Sequence, residues 1–292
     1  MSLENAYLSV TTFISKCINT VLSFAKIILQ SRVVKRFPEA AGKSCIVMGN
    51  GPSLSDSLQK HPSFFEKHTL ICVNGFANTS EYSILKPQYY VFLDPFFWES
   101  DQEGIKKIVN AIFTKTDWPL TLFVPQKAKK SRLASILRKN PHIHIHYFNY
   151  TVFNGFETIG FWLFKHNIAS PQCQNVAVAA LFLALNMGFK EIILVGADHS
   201  WHEYLHVNEQ NMLCIKDVHF YDTRPSKEVN YQPLYSTTPG VTWKMNEIFS
   251  IWAKVFLGYM VIKNYSIYRH SKIINASELS FIDAFDRMKI NP

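Results

Sequence analysis

Apolar side chains recur every three or four positions between residues 6 and 29, at Val10, Phe13, Ile14, Cys17, Ile18, Val21, Leu22, Ala25, Ile28 and Leu29, which predicts one amphipathic helix. Ser9, Lys16, Asn19, Ser23 and Lys26 take its other face. The two lysines interrupt the run before the roughly 18 apolar residues that a spanning helix needs, and no small-residue cleavage site follows. The expectation is therefore a helix that does not cross a membrane. From Ser44 the pattern changes to short runs rich in β-branched and aromatic residues. Ser44–Gly49, Thr69–Asn74, Tyr89–Asp94, Leu120–Val124, His144–Phe148 and Glu191–Gly196 read as strands. Helical patterns separate several of them. The clearest is Asn175–Met187, where a capping asparagine leads an Ala- and Leu-rich run that stops at Gly188. Thr242–Tyr259 predicts a core-facing helix through Trp243, Ile248, Trp252 and Phe256; Lys272–Ala276 then reads as a last strand and Ser280–Met288 as a last helix.

Alternating strand and helix is the signature of an α/β fold: a Rossmann-like, doubly wound and mostly parallel sheet. The expected organisation is a basic amphipathic N-terminal helix and linker over residues 1–43, then a single domain over 44–292 in which 118–170 is a variable basic insert. Composition agrees with a packed domain, since 48% of the 292 residues are hydrophobic and only 18% charged. The net charge of +8 is concentrated. Lys16, Lys26, Arg32, Lys35, Arg36 and Lys43 face only Glu4 and Glu39 in the first 43 residues, and Lys127, Lys129, Lys130, Arg132, Arg138 and Lys139 lie in a stretch, 118–156, without any acid. Together these outweigh the whole net charge, so the remainder is slightly acidic. Such a distribution points to anionic surfaces at two places and away from nucleic acid, because Lys127–Lys139 has no interleaved aromatics.

An amphipathic helix followed by Arg32, Lys35 and Arg36 predicts a peripheral contact of residues 6–36 with an anionic leaflet, where each base near the surface adds about 1 kcal/mol. The alternative is packing on the domain or on a second copy in a homo-oligomer. Cys17, Cys45, Cys72, Cys173 and Cys214 are scattered and never form C-x-x-C, which argues against a disulfide framework or a cysteine zinc site and for a reducing compartment.

In doubly wound sheets ligands bind beyond the carboxyl ends of the strands. Those ends here carry Gly49-Asn50-Gly51-Pro52-Ser53-Leu54, Asn74-Gly75, Asp94-Pro95 and Gly196-Ala197-Asp198-His199. Gly49 and Gly51 allow positive φ and close backbone approach, Pro52 suits a first helical turn, and the amides of that turn can receive a phosphate. The loop matches neither the Walker pattern nor G-x-G-x-x-G.

G-N-G-P-S-L after a first strand, an asparagine ending the second, and an Ala/Leu-rich helix running into G-F-K-E-I-I-L-V-G-A-D together resemble the small bacterial CMP-sialic-acid-dependent sialyltransferases. They also resemble the motility-associated flagellin glycosyltransferases and the archaeal hydroxymethylpterin diphosphokinase. The resemblance covers roughly residues 44–100 and 170–285. It implies that Gly49, Asn50, Gly51, Ser53 and Asn74 handle the CMP phosphate and ribose, that Gly196 and Asp198 help hold the nucleotide, and that Gln174 and Asn175 lie around the donor. Asp94 stands where the sialyltransferases have an asparagine and the flagellin enzymes an acid. The sialyltransferases place a catalytic histidine shortly before the long C-terminal helix, where this chain has Tyr235-Ser236-Thr237-Thr238. His219 is the nearest substitute base, with His199 and His202 behind it. No D-x-D motif occurs, in keeping with a metal-independent reaction and no cofactor.

His202-Glu203-Tyr204-Leu205-His206 matches H-E-x-x-H, but it follows a strand end by six residues and has no third ligand downstream, so a polar loop lining the cleft is the better reading. His142, His144 and His146 alternate along a strand and would share one solvated face. The expected activity is transfer of an acidic sugar, sialic-acid-like or Kdo-like, from a CMP-sugar donor to a cell-surface glycan or lipid-linked acceptor. It would take place in the cytoplasm at the inner face of the cytoplasmic membrane. The alternatives are an Mg²⁺-dependent diphosphokinase and a non-catalytic membrane-peripheral scaffold.

Overall fold

The computed structural model describes residues 3–40, 42–216 and 230–290. Eleven strands are described: β1 (Ser44–Met48), β2 (Thr69–Val73), β3 (Tyr89–Val91), β4 (Leu120–Pro125), β5 (Ile143–Phe148), β6 (Glu191–Val195), β7 (Leu205–Val207), β8 (Leu213–Ile215), β9 (Gln232–Pro233), β10 (Lys272–Asn275) and β11 (Asp286–Arg287). Eight form one sheet in the order β11-β10-β6-β1-β2-β3-β4-β5, every neighbour parallel. The remaining three make a small antiparallel sheet, β7-β8-β9. The expected Rossmann-like, doubly wound architecture is the one found.

Side-chain alternation explains how the sheet is covered. Cys45 and Val47 of β1 and Ile71 and Val73 of β2 enter one core; Ile46, Met48, Leu70 and Cys72 enter the other. The first core is roofed by the Val176–Met187 helix, of which every residue but Val176 and Asn186 is buried, and by the long Met245–Tyr268 helix. A helix apolar all round belongs between layers, and this one lies between the sheet and its neighbour. Asn175 caps it by accepting the Val178 amide at 2.9 Å, and Gly188 ends it at φ +99°, as the sequence predicts. The second core is roofed by Ser53–Lys60, Glu103–Lys115 and shorter helices.

Several boundaries differ from expectation. The C-terminal helix runs Met245–Tyr268 instead of Thr242–Tyr259, opened by Glu247, whose carboxylate accepts the Lys244 amide at 2.7 Å. The expected helix over Ser280–Met288 does not form. Its backbone and hydroxyl groups are spent elsewhere: the Phe281 amide donates to the Asp198 carbonyl at 2.9 Å, Ser280 Oγ to the Ala197 carbonyl at 2.7 Å, and Asn275 Nδ2 to Ser280 Oγ at 3.0 Å. Asp286–Arg287 then pairs as β11 beside β10. These tertiary bonds outweigh local propensity. Residues 118–170 supply β4 and β5, the far edge of the main sheet. The three histidines there do not share a solvated face: His144 is exposed, but His146 stacks on Phe37 at 5.6 Å, and desolvation pushes its pKa down to about 4. Leu3–Gln30 is one helix. Contrary to the expectation from its lysines, Tyr7–Gln30 is long and apolar enough to cross a membrane by length and composition, as is Met245–Tyr268.

Candidate functional site

The chain leaves β1 in one direction along the sheet and returns at β6 on the other side of it, so the switch point lies between β1 and β6. A cavity of about 730 Å³ opens there at the carboxyl ends of the strands. Gly49, Asn50, Gly51, Asn74, Asp94, Gln174, Asn175, Gly196, Asp198 and His199 all line it, from segments spread over 150 residues of sequence. Ser53 and His202 are not on its wall, and His219 lies outside the described residues.

The glycine loop is built for close approach of two strand ends. The Gly49 amide donates to the Val195 carbonyl and the Gly51 amide to the Gly196 carbonyl, both at 2.8 Å. A Cβ on Gly49 would sit 2.3 Å from the Gly196 carbonyl oxygen, and one on Gly51 2.7 Å from Asp198 Cγ. Neither glycine has positive φ, contrary to expectation; the left-handed residue is Gly196, at +67°. Beyond the loop, the N-terminus of the Ser53–Lys60 helix is already occupied by an anion. Asp198 Oδ2 accepts the Ser53 amide at 2.8 Å, and Ser53 Oγ donates to Asp198 Oδ1. The positive helix end that the sequence assigns to a phosphate thus holds a carboxylate from the loop after β6. Burial raises the Asp198 pKa, opposed by the two Ser53 bonds.

Two asparagines face the cavity from the ends of β1 and β2. Asn50 Nδ2 donates to the Val73 carbonyl at 3.1 Å, which fixes its amide, and Asn74 takes φ +48°. The Oδ1 atoms of both are buried without a partner among the described residues. An orphaned buried acceptor costs about 1–3 kcal/mol, a cost that a ligand hydroxyl or amine would remove if the side chain turned toward it, which for Asn50 means giving up the Val73 bond.

His199 closes the opposite wall. It is buried, holds φ +56°, and stacks on Trp201 at 4.3 Å. Its Nε2 lies 2.7 Å from the Tyr259 hydroxyl and 2.9 Å from Asn175 Nδ2. The orientation of Asn175 follows from its capping bond: Oδ1 takes the Val178 amide, so Nδ2 must donate to His199. With two donors on Nε2, the imidazole carries its proton on Nδ1. Desolvation pushes its pKa down to about 3. This arrangement makes His199 a neutral hydrogen-bond donor through Nδ1, and a poor proton acceptor.

Residues 19–204, well over half of the chain, match the family model described as 6-hydroxymethylpterin diphosphokinase MptE-like. The chain belongs to the MptE-like family. No curated protein matches it. Among solved structures it is similar to the MAf glycosyltransferase from Magnetospirillum magneticum AMB-1, at 12% identity and a TM-score of 0.47, over 92% of this chain and 38% of that one. It therefore spans well under half the length of that protein. An apo structure of FabMG, an enoyl-acyl carrier protein reductase, is matched at 9% identity and a TM-score of 0.18, over 84% of this chain and 63% of that one.

The rest of the cavity wall comes from residues that belong to no sequence motif. Lys216, at the end of β8, is the cation among the described wall residues, and its Nζ lies 4.8 Å from the Tyr231 ring centroid. Tyr150 donates its hydroxyl to the Cys173 carbonyl at 2.6 Å, stiffening the segment before Asn175. Asp94 stands exposed on the wall, its Oδ1 accepting the Phe96 amide at 2.9 Å, and Gln174 is another exposed wall residue. The H-E-x-x-H match breaks across two elements: His202, Glu203 and Tyr204 lie on a 3₁₀ turn, Leu205 and His206 on β7. His202 packs edge-on against Phe281 at 4.5 Å. No group of three metal-ligating side chains gathers among the described residues.

Proposed function

We propose that this MptE-like chain is a glycosyltransferase that takes a CMP-activated acidic sugar and passes it to a glycan or lipid-linked saccharide. The observation that carries the reading is the charge plan of the cavity: its helix N-terminus is neutralised internally by Asp198, while Asn50 and Asn74 keep buried, unpaired amide oxygens that a hydroxyl or amine donor could engage once the side chains turn. Such a wall suits a nucleoside with one phosphate better than a triphosphate. Asn50 and Asn74 would take ribose or base donors. The single phosphate would meet Lys216 and the Nδ1–H of His199.

In the transfer step the acceptor hydroxyl oxygen attacks the anomeric carbon and forms the new glycosidic bond. The bond from that carbon to the CMP phosphate oxygen breaks, and the phosphate keeps the electron pair. Fixed donors on that oxygen stabilise the developing charge. The proton of the acceptor hydroxyl passes to a base, for which His219 is the candidate.

The family description favours a second reading, an Mg²⁺-ATP diphosphokinase. The described wall fits a divalent cation poorly. Of its two carboxylates Asp198 is spent on Ser53, which leaves Asp94. Thermal-shift measurements with CMP, CDP, UDP, GDP and ATP, each with and without Mg²⁺, separate the readings. CMP or CDP should raise Tm without metal. A shift with ATP and Mg²⁺ alone would replace the transferase with the kinase, and no shift with any nucleotide would leave a scaffold.

A further inference from the structure

The N-terminal helix docks with the wrong side, by the standards of a soluble domain. Ser23 Oγ donates to the Asn154 carbonyl at 2.8 Å, Thr20 Oγ1 accepts the Phe156 amide at 3.3 Å, and Ile27 enters the core. Past the helix end, Ser31 Oγ donates to the Ile168 carbonyl at 2.8 Å, and the side-chain amide of Asn149 bonds both backbone groups of Arg32. Gly155 permits the approach: a Cβ there would lie 2.1 Å from Thr20 Oγ1. Phe13 and Phe24 pack edge-on against Phe156 and Phe153. The face turned to the protein is thus mixed, with the hydrogen bonds of Thr20 and Ser23 set among the packed Phe13, Phe24 and Ile27.

The apolar face turns outward. At 3.6 residues per turn Val10, Ile14, Ile18, Val21, Ile28 and Leu29 fall on one arc about 100° wide. All six are exposed, Val21 at 69%, Ile28 at 78% and Leu29 at 72%. Water is a poor neighbour for such an arc, which is far wider than scattered surface apolar residues need. What covers it can be argued from charge. Between Glu4 and Glu39 the chain has no acid, and the exposed bases Lys26, Arg32, Lys35 and Arg36 lie at the flank of the arc and past its downstream end, with Lys16 exposed on the far side of the helix. A second copy seated on this face would bring these bases against their equals. An anionic bilayer offers the complementary charge together with the apolar phase.

We infer that residues 7–36 form a monotopic membrane-docking element, lying in the headgroup region of an anionic leaflet with the arc of Val10, Ile14, Ile18, Val21, Ile28 and Leu29 toward the acyl chains. The helix is long enough to span, but its bonds through Thr20, Ser23 and Ser31 tie it lengthwise to the body of the protein. Crossing would require breaking them. The docking therefore holds the helix in the plane of the surface and fixes which way the body faces.

The test is co-sedimentation of the full chain with phosphatidylglycerol-containing vesicles and with pure phosphatidylcholine vesicles, at low and high salt. Wild type should bind the anionic vesicles at least about tenfold more strongly, an advantage that salt removes. A triple variant, Ile14→Ser, Ile18→Ser and Val21→Ser, changes only outward residues and should lose binding while keeping the wild-type melting temperature. A second variant, Lys35→Gln with Arg36→Gln, should lose the preference for anionic vesicles and retain the fold. Undiminished sedimentation of the triple variant would overturn the inference. So would a wild-type chain that ignores vesicles but forms a dimer that the triple variant abolishes, since the arc would then cover a second copy.

Discussion

Replacing Asp198 isolates the internal anion that organises the site. In Asp198→Ala the Ser53 amide and hydroxyl, both paired with that carboxylate and buried with it, lose their acceptor. Each stranded buried donor costs about 1–3 kcal/mol, and the helix end loses a favourable charge worth a further few tenths. Some of that is recovered as water enters, so the net loss should be about 2–4 kcal/mol. For a chain of 292 residues about 2 °C of Tm follows each kcal/mol, which gives a drop of about 4–8 °C. Asp198→Asn should behave differently. One amide oxygen can take the Ser53 amide while Nδ2 donates to Ser53 Oγ, and the cost of burying a carboxylate, the desolvation that raises the Asp198 pKa, is gone. Its Tm at pH 7 should stay within about 2 °C of wild type. Differential scanning fluorimetry reads both. Inorganic phosphate adds a third arm, because the alanine variant exposes a helix N-terminus and should recover more Tm with phosphate than wild type gains. An alanine variant as stable as the asparagine variant, with no phosphate rescue, would refute the claim that Asp198 fills the anion position of this helix.

Gly49→Ala should yield little soluble protein or a Tm lower by many degrees, because its Cβ would meet backbone, the Gly196 carbonyl, at 2.3 Å. Asn175→Ala should lose about 1 kcal/mol of cap and free the His199 ring, which a urea titration and a nucleotide melt together would register. His199 also sets an acid limit. Its pKa falls from 6.5 in the unfolded chain to about 3 in the fold, so its contribution is complete above pH 6.5 and is lost as the pH falls toward 3, where the unfolded chain takes up a proton that the fold refuses. Between pH 7 and 5 wild type should lose about 2 kcal/mol more than His199→Gln in urea unfolding, and equal losses would show that the ring is not held neutral. His146, pushed down to about 4 by burial, adds a slope of the same sign that His199→Gln leaves in place.

Much of the fold was legible because it rests on patterns that act locally. Buried parallel strands need continuous apolar runs, and Cys45–Met48 and Ile192–Val195 could be nothing else. The Asn175 cap and the Gly188 stop are written in single residues. The failures lie where distant groups decide. Ser280–Met288 has helical periodicity, yet Asn275, Ala197 and Asp198 claim its hydrogen-bonding groups from across the sheet. The glycine loop illustrates the same limit at the site. Taken alone its glycines imply room for a ligand, whereas the neighbour they admit is the loop after β6, and the negative charge at the following helix end is supplied by Asp198. Lys216 and Tyr150 belong to no motif; only the closing of the chain after β8 and of the 149–156 segment onto the cavity brings them in.

The N-terminal helix shows why amphipathicity alone cannot assign an interface. The spacing of Val10, Ile14, Ile18 and Val21 announces two environments and says nothing about which one is the protein. In a soluble domain the apolar stripe would turn inward and Ser23 and Thr20 would meet water. Here Ser23 and Thr20 find backbone partners on the 154–156 turn, and Gly155 is the residue that lets them approach. Since a hydrogen bond to exposed backbone is worth little more than one to water, docking through that face gives up most of the burial the stripe could provide. A fold that leaves the larger apolar face outside gains from it only when something other than water meets it. The absence of any acid between Glu4 and Glu39 narrows that something to a negatively charged, apolar surface.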